Sequence, residues 1–451
     1  MTRPTERITQ SPASEASSKL PDRDGVGHEL EIPNTESVLI EYFVGAVVPP
    51  ILAQVETHKK WSSMRQVLIS MSNSSVMVRS AILAFSDLLL CRQRKPWAKN
   101  TVRHYRNAAA EVAKYGDFSI LRTASSSTRE DLLATLFFLS YIDLLEGRTS
   151  DAHSNLKKAF DIYKQADKSR FRTVEVRLLS WIRLLDGRAV SAGGEGLFLS
   201  DADETLLAYP SPSITEGDGA SHVEEEPSAK IEDVLFDVLY QPGLVFFQKI
   251  QSFMGRISKI DPWHRSRGTV EDETDVMCIA SRISKDLSAL YESRPPLMDY
   301  AVAGDLTSAH VAENLAFATT RAFRTYLSNY HASKIHLHRV AYKSLPLSSE
   351  TLNAIATIRH LAQLMVEGSD GQEMLPVNML WPLLMWGCEE NDPEERNWVK
   401  TQILNMENVA TNARITAHVL EEVQARQDAT KQRVDVRKVM HEIFDSCFAI
   451  V

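Results

Sequence analysis

Residues 131–146, DLLATLFFLSYIDLLE, are apolar on nearly every side of a helical wheel. A helix at a protein surface keeps a polar stripe, and one that is apolar all round must be enclosed by other elements. The flanks mark a helix. Ser127-Thr128-Arg129-Glu130 reads as its start, with Ser127 capping the first-turn N–H groups and Glu130 reaching back to the Ser127 N–H. Gly147 supplies the left-handed stop. A chain with this segment in its interior has to wrap it, and the remaining sequence says with what.

From about Thr35 onward the apolar spacing is helical almost throughout. The segment VLIEYFVGAVVPPILAQV is broken by Pro49-Pro50, which ends a helix at Val48. Helices are predicted over Ser75–Leu90, Lys99–Tyr115, Asp151–Gln165, Glu175–Leu185, Asp275–Tyr291 and Ser308–His338. Another starts at Ser348 or Ser349 and stops at Gly368, and Asp392-Pro393-Glu394-Glu395 is a strong start signal. No alternating strand pattern, hairpin dipeptide or fixed-period repeat stands out. The expected fold is all-α, a multi-helix array of packed helix pairs over residues 35–451, preceded by a disordered tail at 1–34 and interrupted by flexible linkers near 188–196 and 208–229. The second linker carries Glu224-Glu225-Glu226, a solvated acidic loop.

Lys+Arg number 50 against 59 Asp+Glu, a net charge of −9, which argues against a surface coated for nucleic acid. Cys91, Cys278, Cys388 and Cys447 lack metal-finger or disulfide-framework spacing and are expected to be reduced, mostly buried thiols. No apolar run reaches the roughly 18 uninterrupted residues of a membrane-spanning helix, so no membrane partner is expected.

The chemistry-bearing motifs are few. There is no P-loop and no nucleophile elbow, and Gly193-Gly194-x-Gly196 reads as linker rather than phosphate cradle. His331, His336 and His338 do not share one helical face, so one is expected in the core and two at the surface. Glu271-Asp272-Glu273-Thr274-Asp275 can be compared with the aspartate-rich magnesium motif of all-α terpene synthases, but acids at a helix start are favoured by the helix dipole in any case. No catalytic, cofactor-binding or metal-ligating set is assigned. The basic segment Arg92, Arg94, Lys95, Lys99, Arg103 and Arg106, with Trp97 and Tyr105 interleaved, reads as a solvated face or as a contact patch for phosphates or an import factor.

Several segments in order resemble the fungal-specific transcription factor domain family, the C-terminal regulatory region of fungal zinc-cluster transcription factors. They are LIEYFVGAVVPPIL, then Trp61 and residues 67–90, the Leu-rich segment ending in Glu146-Gly147 before His153, Trp381-Pro382-Leu383 with Gly387-Cys388-Glu389 and Arg396-x-Trp398, and Val434–Met440, where Val436 stands in place of the usual Trp. Glu389 is a candidate partner for Arg396. The resemblance implies an all-α regulatory module with no transferable catalytic set, a nuclear location with the cytoplasm as a second one, a protein partner (a DNA-binding regulator or a second copy) and a possible small-molecule effector.

The family's zinc cluster begins Cys-x2-Cys-x6-Cys, and residues 1–90 contain no cysteine. DNA contact is therefore expected to be indirect or weak, in a co-regulator or effector-sensing module of a metabolic or secondary-metabolite gene set. Two alternatives stand beside it: an all-α enzyme of specialised metabolism that reuses the scaffold, and a gene whose cysteine-rich upstream exon is missing from this chain.

Overall fold

The computed structural model describes residues 35–45, 48–56, 58–93, 101–116, 125–199, 227–368, 374–410, 412–445 and 447–450. Among them are sixteen α-helices, a few 3-10 turns and no strand. The helices are α1 (Thr35–Gly45), α2 (His58–Ser74), α3 (Val76–Gln93), α4 (Thr101–Ala113), α5 (Ser126–Leu145), α6 (Thr149–Gln165), α7 (Thr173–Ala189) and α8 (Pro227–Ser258). They continue as α9 (Val270–Glu292), α10 (Pro296–Ala303), α11 (Glu313–Ala341), α12 (Ser349–Glu367), α13 (Leu380–Gly387), α14 (Pro393–Asn405), α15 (Ala413–Thr430) and α16 (Val436–Phe444). Sequence neighbours pack as pairs, α3 with α4, α5 with α6, α11 with α12 and α14 with α15, so the all-α array of packed helix pairs is the observed architecture.

The apolar segment that constrains the fold is α5, and sixteen of its twenty residues are buried. Aromatic rings bring its neighbours in. Phe138 meets Phe85 of α3 at 5.2 Å and Phe43 of α1 at 5.9 Å, and Phe137 meets Trp181 of α7 at 5.2 Å. Trp181 in turn meets Trp61 of α2 at 5.9 Å. Edge and offset contacts of this kind add to the area that each ring buries. Gly147 ends the helix at φ 72°, as expected. The start differs by two residues: Ser125, not Ser127, accepts the Thr128 N–H at 3.2 Å. Glu130 does not close a capping box. It turns inward and pairs with Arg172 at 3.3 Å.

Two large apolar clusters make up most of the core, beside a small one of Leu39, Leu83 and Leu90. The larger spans α1 to α11, and the second spans α11 to α16 with Met254 of α8. Helix α11 serves both: Phe323, Tyr326 and Tyr330 belong to the first, Ala332 and Ile335 to the second. Its approach to α8 is tight at Gly243, where an added Cβ would lie 2.2 Å from the Phe323 ring. Phe323 is fully buried and has no room to yield. Gly243→Ala is therefore expected to destabilise the protein by at least about 1–3 kcal/mol, the range for overpacking, read as a lower urea midpoint. A neutral or stabilising result would show that the two helices can move apart.

Residues 188–196, read as a linker, are packed here. Val190–Ala192 form a buried 3-10 turn, Gly193 takes φ 91°, and a Cβ on Gly194 would sit 2.9 Å from the Ala189 carbonyl. The glycines let the chain fold tightly onto the end of α7. In the linker near 208–229, residues 208–226 lie outside the described residues and 227–229 open α8; the tail at 1–34 also lies outside them.

Asp392 and Ser348 cap their helices as expected: Asp392 accepts from the Glu394 N–H at 2.8 Å, and Ser348 from the Thr351 N–H at 3.2 Å. Of the cysteines only Cys388 is buried, Cys91 and Cys447 are partly covered and Cys278 is exposed, which corrects the expectation of mostly buried thiols. Among the described residues one segment, Thr35–Leu52, has the length and apolarity to cross a membrane. Its Leu39 and Phe43 are buried inside the protein.

Candidate functional site

Where the two clusters meet, a cavity of about 480 Å³ opens between the ends of α8 and α11, the start of α9, the helix α13 and the approach to α16. Its walls are largely apolar, with Met254, Met277, Met385, Met440, Val436 and Trp381 among the lining residues. Trp381 and Met385 come from the Trp-Pro-Leu segment and Val434–Arg437 from the closing segment, so the sequence landmarks of the C-terminal half converge on one hollow.

Each arginine in its wall is paired with an acid. Arg437 pairs with Asp261 at 2.8 Å and donates to the Val190 carbonyl at 2.5 Å. Arg267 pairs with Glu273 at 2.5 Å and donates to the Val340 carbonyl at 2.7 Å. Arg339 pairs with Glu389, whose carboxylate also takes Arg433 at 2.9 Å, and Arg339 donates to the Val434 carbonyl at 2.8 Å. The last network ties the end of α11 to the strap that leads into α16. Glu389 therefore serves Arg339 and Arg433, not Arg396 as expected. Arg396 instead reaches Asp428 at 2.6 Å and the Glu390 carbonyl at 2.7 Å.

Two aromatic side chains in the wall are not fully matched. The His336 ring stands edge-on to Trp381, centroids 5.0 Å apart. The His336 Nδ1 and the Trp381 Nε1 are buried without a hydrogen-bond partner. Burial, helped by Arg437 and Arg339, holds His336 down to about 3, so the ring is neutral at pH 7.

The other two histidines also differ from expectation. None of the three is exposed: His338 is buried and His331 and His336 are largely covered, because α11 is enclosed by α8, α9, α10, α12 and α13. Burial, with Lys334 and Arg294 nearby, holds His331 down to about 3 between the Tyr291 and Tyr330 rings. A histidine whose folded value lies below its unfolded value of about 6.5 takes up its proton only on unfolding, so its contribution to stability is lost as pH falls through that window. Asp186, pushed up to about 7 by burial, and Asp143, pushed up to about 6, act in the opposite direction. The histidine's share is thus read as a difference. Between pH 6 and 4.5, the pH slope of stability in His331→Gln is expected to lie below that of the parent by about 1.4 kcal/mol per pH unit, the value of one proton. Equal slopes in denaturation series would show that His331 is protonated in the folded protein.

The basic segment is only partly visible. Arg103 and Arg106 are exposed on α4, whereas the side chains of Arg92, Arg94, Lys95 and Lys99 lie outside the described residues, as does Trp97. Tyr105 is not an exposed stacking ring: its hydroxyl donates to the Asp143 carboxylate at 3.0 Å, and Arg148 lies 4.3 Å from its ring centre.

The acids at 271–275 have local roles. Asp272 accepts from the Thr269 N–H at 3.1 Å and completes a capping box, Glu273 holds Arg267, and Asp275 pairs with Arg265 at 2.9 Å. Among the described residues no three His, Cys, Asp or Glu side chains cluster with metal-binding geometry.

Sequence reasoning did not find the cavity. Its wall draws on positions from Val190 to Met440, and Asp261, Arg267 and the Tyr342–Leu345 turn carry no motif. The nearest available signal was the Trp381 segment together with the histidines of α11.

No curated protein and no solved structure matches the chain. Residues 38–449 match the family described as fungal specific transcription factor domain, a span that includes the cavity and nearly all of the two large apolar clusters. The family's role is in transcription regulation, and on that match the chain belongs to the fungal specific transcription factor domain family.

Proposed function

We propose that this protein is an effector-sensing module of a fungal transcription regulator, acting in the nucleus on a metabolic or secondary-metabolite gene set. It reaches DNA through a protein partner, either a DNA-binding regulator or a second copy of itself. The observation that carries this reading is the cavity at the seam of the two clusters, walled by the segments that mark the family. Ligand sites favour such seams between packed elements. Val434 and Asp435 of the strap line the cavity, and the strap is held by ion pairs and carbonyl contacts, so a bound molecule can bias how α16 packs.

Deletion of the gene, with transcripts and metabolites read from the same cultures, tests the reading. A coherent set of transcripts is expected to change. Unchanged transcripts, with one metabolite lost and its precursor accumulating, would replace the regulator with an enzyme. A gel shift with purified protein is expected to give no sequence-specific band, and a tight specific band would overturn the indirect mode.

A further inference from the structure

We infer that the cavity takes a neutral, mostly apolar small molecule with one hydroxyl group, oriented by Trp381 and His336. The inference rests on the reading of the cavity as the effector site and adds the chemical class of the ligand.

The volume, about 480 Å³, lies inside the roughly 300–1,000 Å³ range of small-molecule sites. Four methionines in the wall supply an adaptable apolar surface. Charge decides the class. The deep cations Arg267, Arg339 and Arg437 already face Glu273, Glu389 and Asp261, and each also donates to at least one backbone carbonyl. Asp435 accepts the Lys438 N–H of α16 at 2.9 Å. Of the lining cations only Lys343 is exposed, at the rim. A carboxylate or phosphate seated in the interior would have to pull a guanidinium away from its acid and leave that acid buried and unmatched. A cationic ligand would meet Asp261 and Glu273 already paired with arginines and Asp435 already engaged in capping α16.

The unmet polar capacity in the wall is small and neutral: the Trp381 N–H donor and the His336 Nδ1, each buried without a partner. His336 is uncharged at pH 7, and with its proton on Nε2 the unpartnered Nδ1 is an acceptor. One hydroxyl can accept from the Trp381 N–H and donate to the imidazole, which satisfies both with a single group. A purely apolar occupant leaves both unmatched, and that lowers affinity.

The test uses the purified full chain with Nile red as a neutral reporter, displaced by 1-decanol, decanoate or decane. 1-Decanol is expected to displace the dye at least ten times better than decanoate and about five-fold better than decane, the value of one well-placed hydrogen bond. Trp381→Phe is expected to remove most of the advantage over decane. Val436→Trp fills the cavity from a partly exposed position and is expected to abolish displacement. Met277→Trp, on the opposite and more exposed wall, repeats the block if Val436→Trp does not fold. Decanoate binding as well as decanol, with both blocked by the Trp variants, would overturn the ligand class and leave the effector site standing. Displacement that both folded Trp variants leave unchanged, or no displacement at all, would overturn the effector site itself.

Discussion

Replacing Glu389 with alanine is expected to destabilise the fold by about 3–5 kcal/mol, the range for removing one member of a buried ion pair. The Glu389 side chain is 5% exposed and sits between Arg339, 6% exposed, and Arg433, 15% exposed. Its loss would leave two guanidinium groups with no acid, one of them in the interior. The carbonyls of Cys388 and Val434 and the side chain of Gln427 would still accept from Arg339, but dipoles do not neutralise a buried charge. Glu389→Gln keeps an acceptor without the charge and is expected to fall between alanine and the parent. Arg433→Ala leaves Glu389 its deeper partner and is expected to be milder than Glu389→Ala. Urea midpoints at constant m-value measure all three. A loss below about 1 kcal/mol for Glu389→Ala would mean that the network is a surface-type pair of little worth. Because Arg433 and Val434 lead directly into α16, the same variant is expected to speed hydrogen exchange over 434–440 more than over α5.

Where the sequence was legible, the determinants were local. Asp392, Ser348 and Gly147 act on the first or last turn of their own helices, and a few neighbouring residues decide them. The centrality of α5 was legible too, because a helix with no polar face leaves one way to be soluble. The register of its start was not. Ser125, Ser126 and Ser127 are equivalent as caps by residue type, and in the fold Ser125 caps the helix while Glu130 pairs with Arg172.

The histidines of α11 show the limit of periodicity. Spacing says which residues share a face, but from Arg321 onward no residue of α11 is exposed, and all three rings are covered. Glu389 shows the limit of proximity in sequence. Arg396 lies seven positions away, yet the carboxylate is held by arginines 50 and 44 positions away. The cavity is the extreme case, since none of its wall segments specifies it alone.

The same logic gives the second large effect, at a residue with no motif around it. Glu56 lies in the turn after Pro50–Leu52 and is 4% exposed. Its carboxylate accepts from the Arg177 Nε at 3.0 Å and Nη2 at 2.5 Å, and from the Trp181 Nε1 at 2.7 Å. These bonds fix the N-terminal turn to α7 across 121 to 125 residues of chain. Glu56→Ala removes the acid from a partly buried arginine and the acceptor from a fully buried indole together, and is expected to cost about 3–5 kcal/mol. Glu56→Gln returns an oxygen to Trp181 without restoring the charge that faces Arg177, so it separates the two contributions. If the glutamine variant recovers most of the loss, the indole hydrogen bond dominates; if it recovers little, the charge does. The loss should also reach beyond the turn. Trp181 packs at a tilt against Phe137 and Trp61, so freeing its N–H loosens the aromatic cluster that encloses α5. The near-ultraviolet circular dichroism of Glu56→Ala is therefore expected to weaken while the helical signal persists. An unchanged near-ultraviolet spectrum, with a stability loss under about 1 kcal/mol, would show that α5 is enclosed without help from this carboxylate.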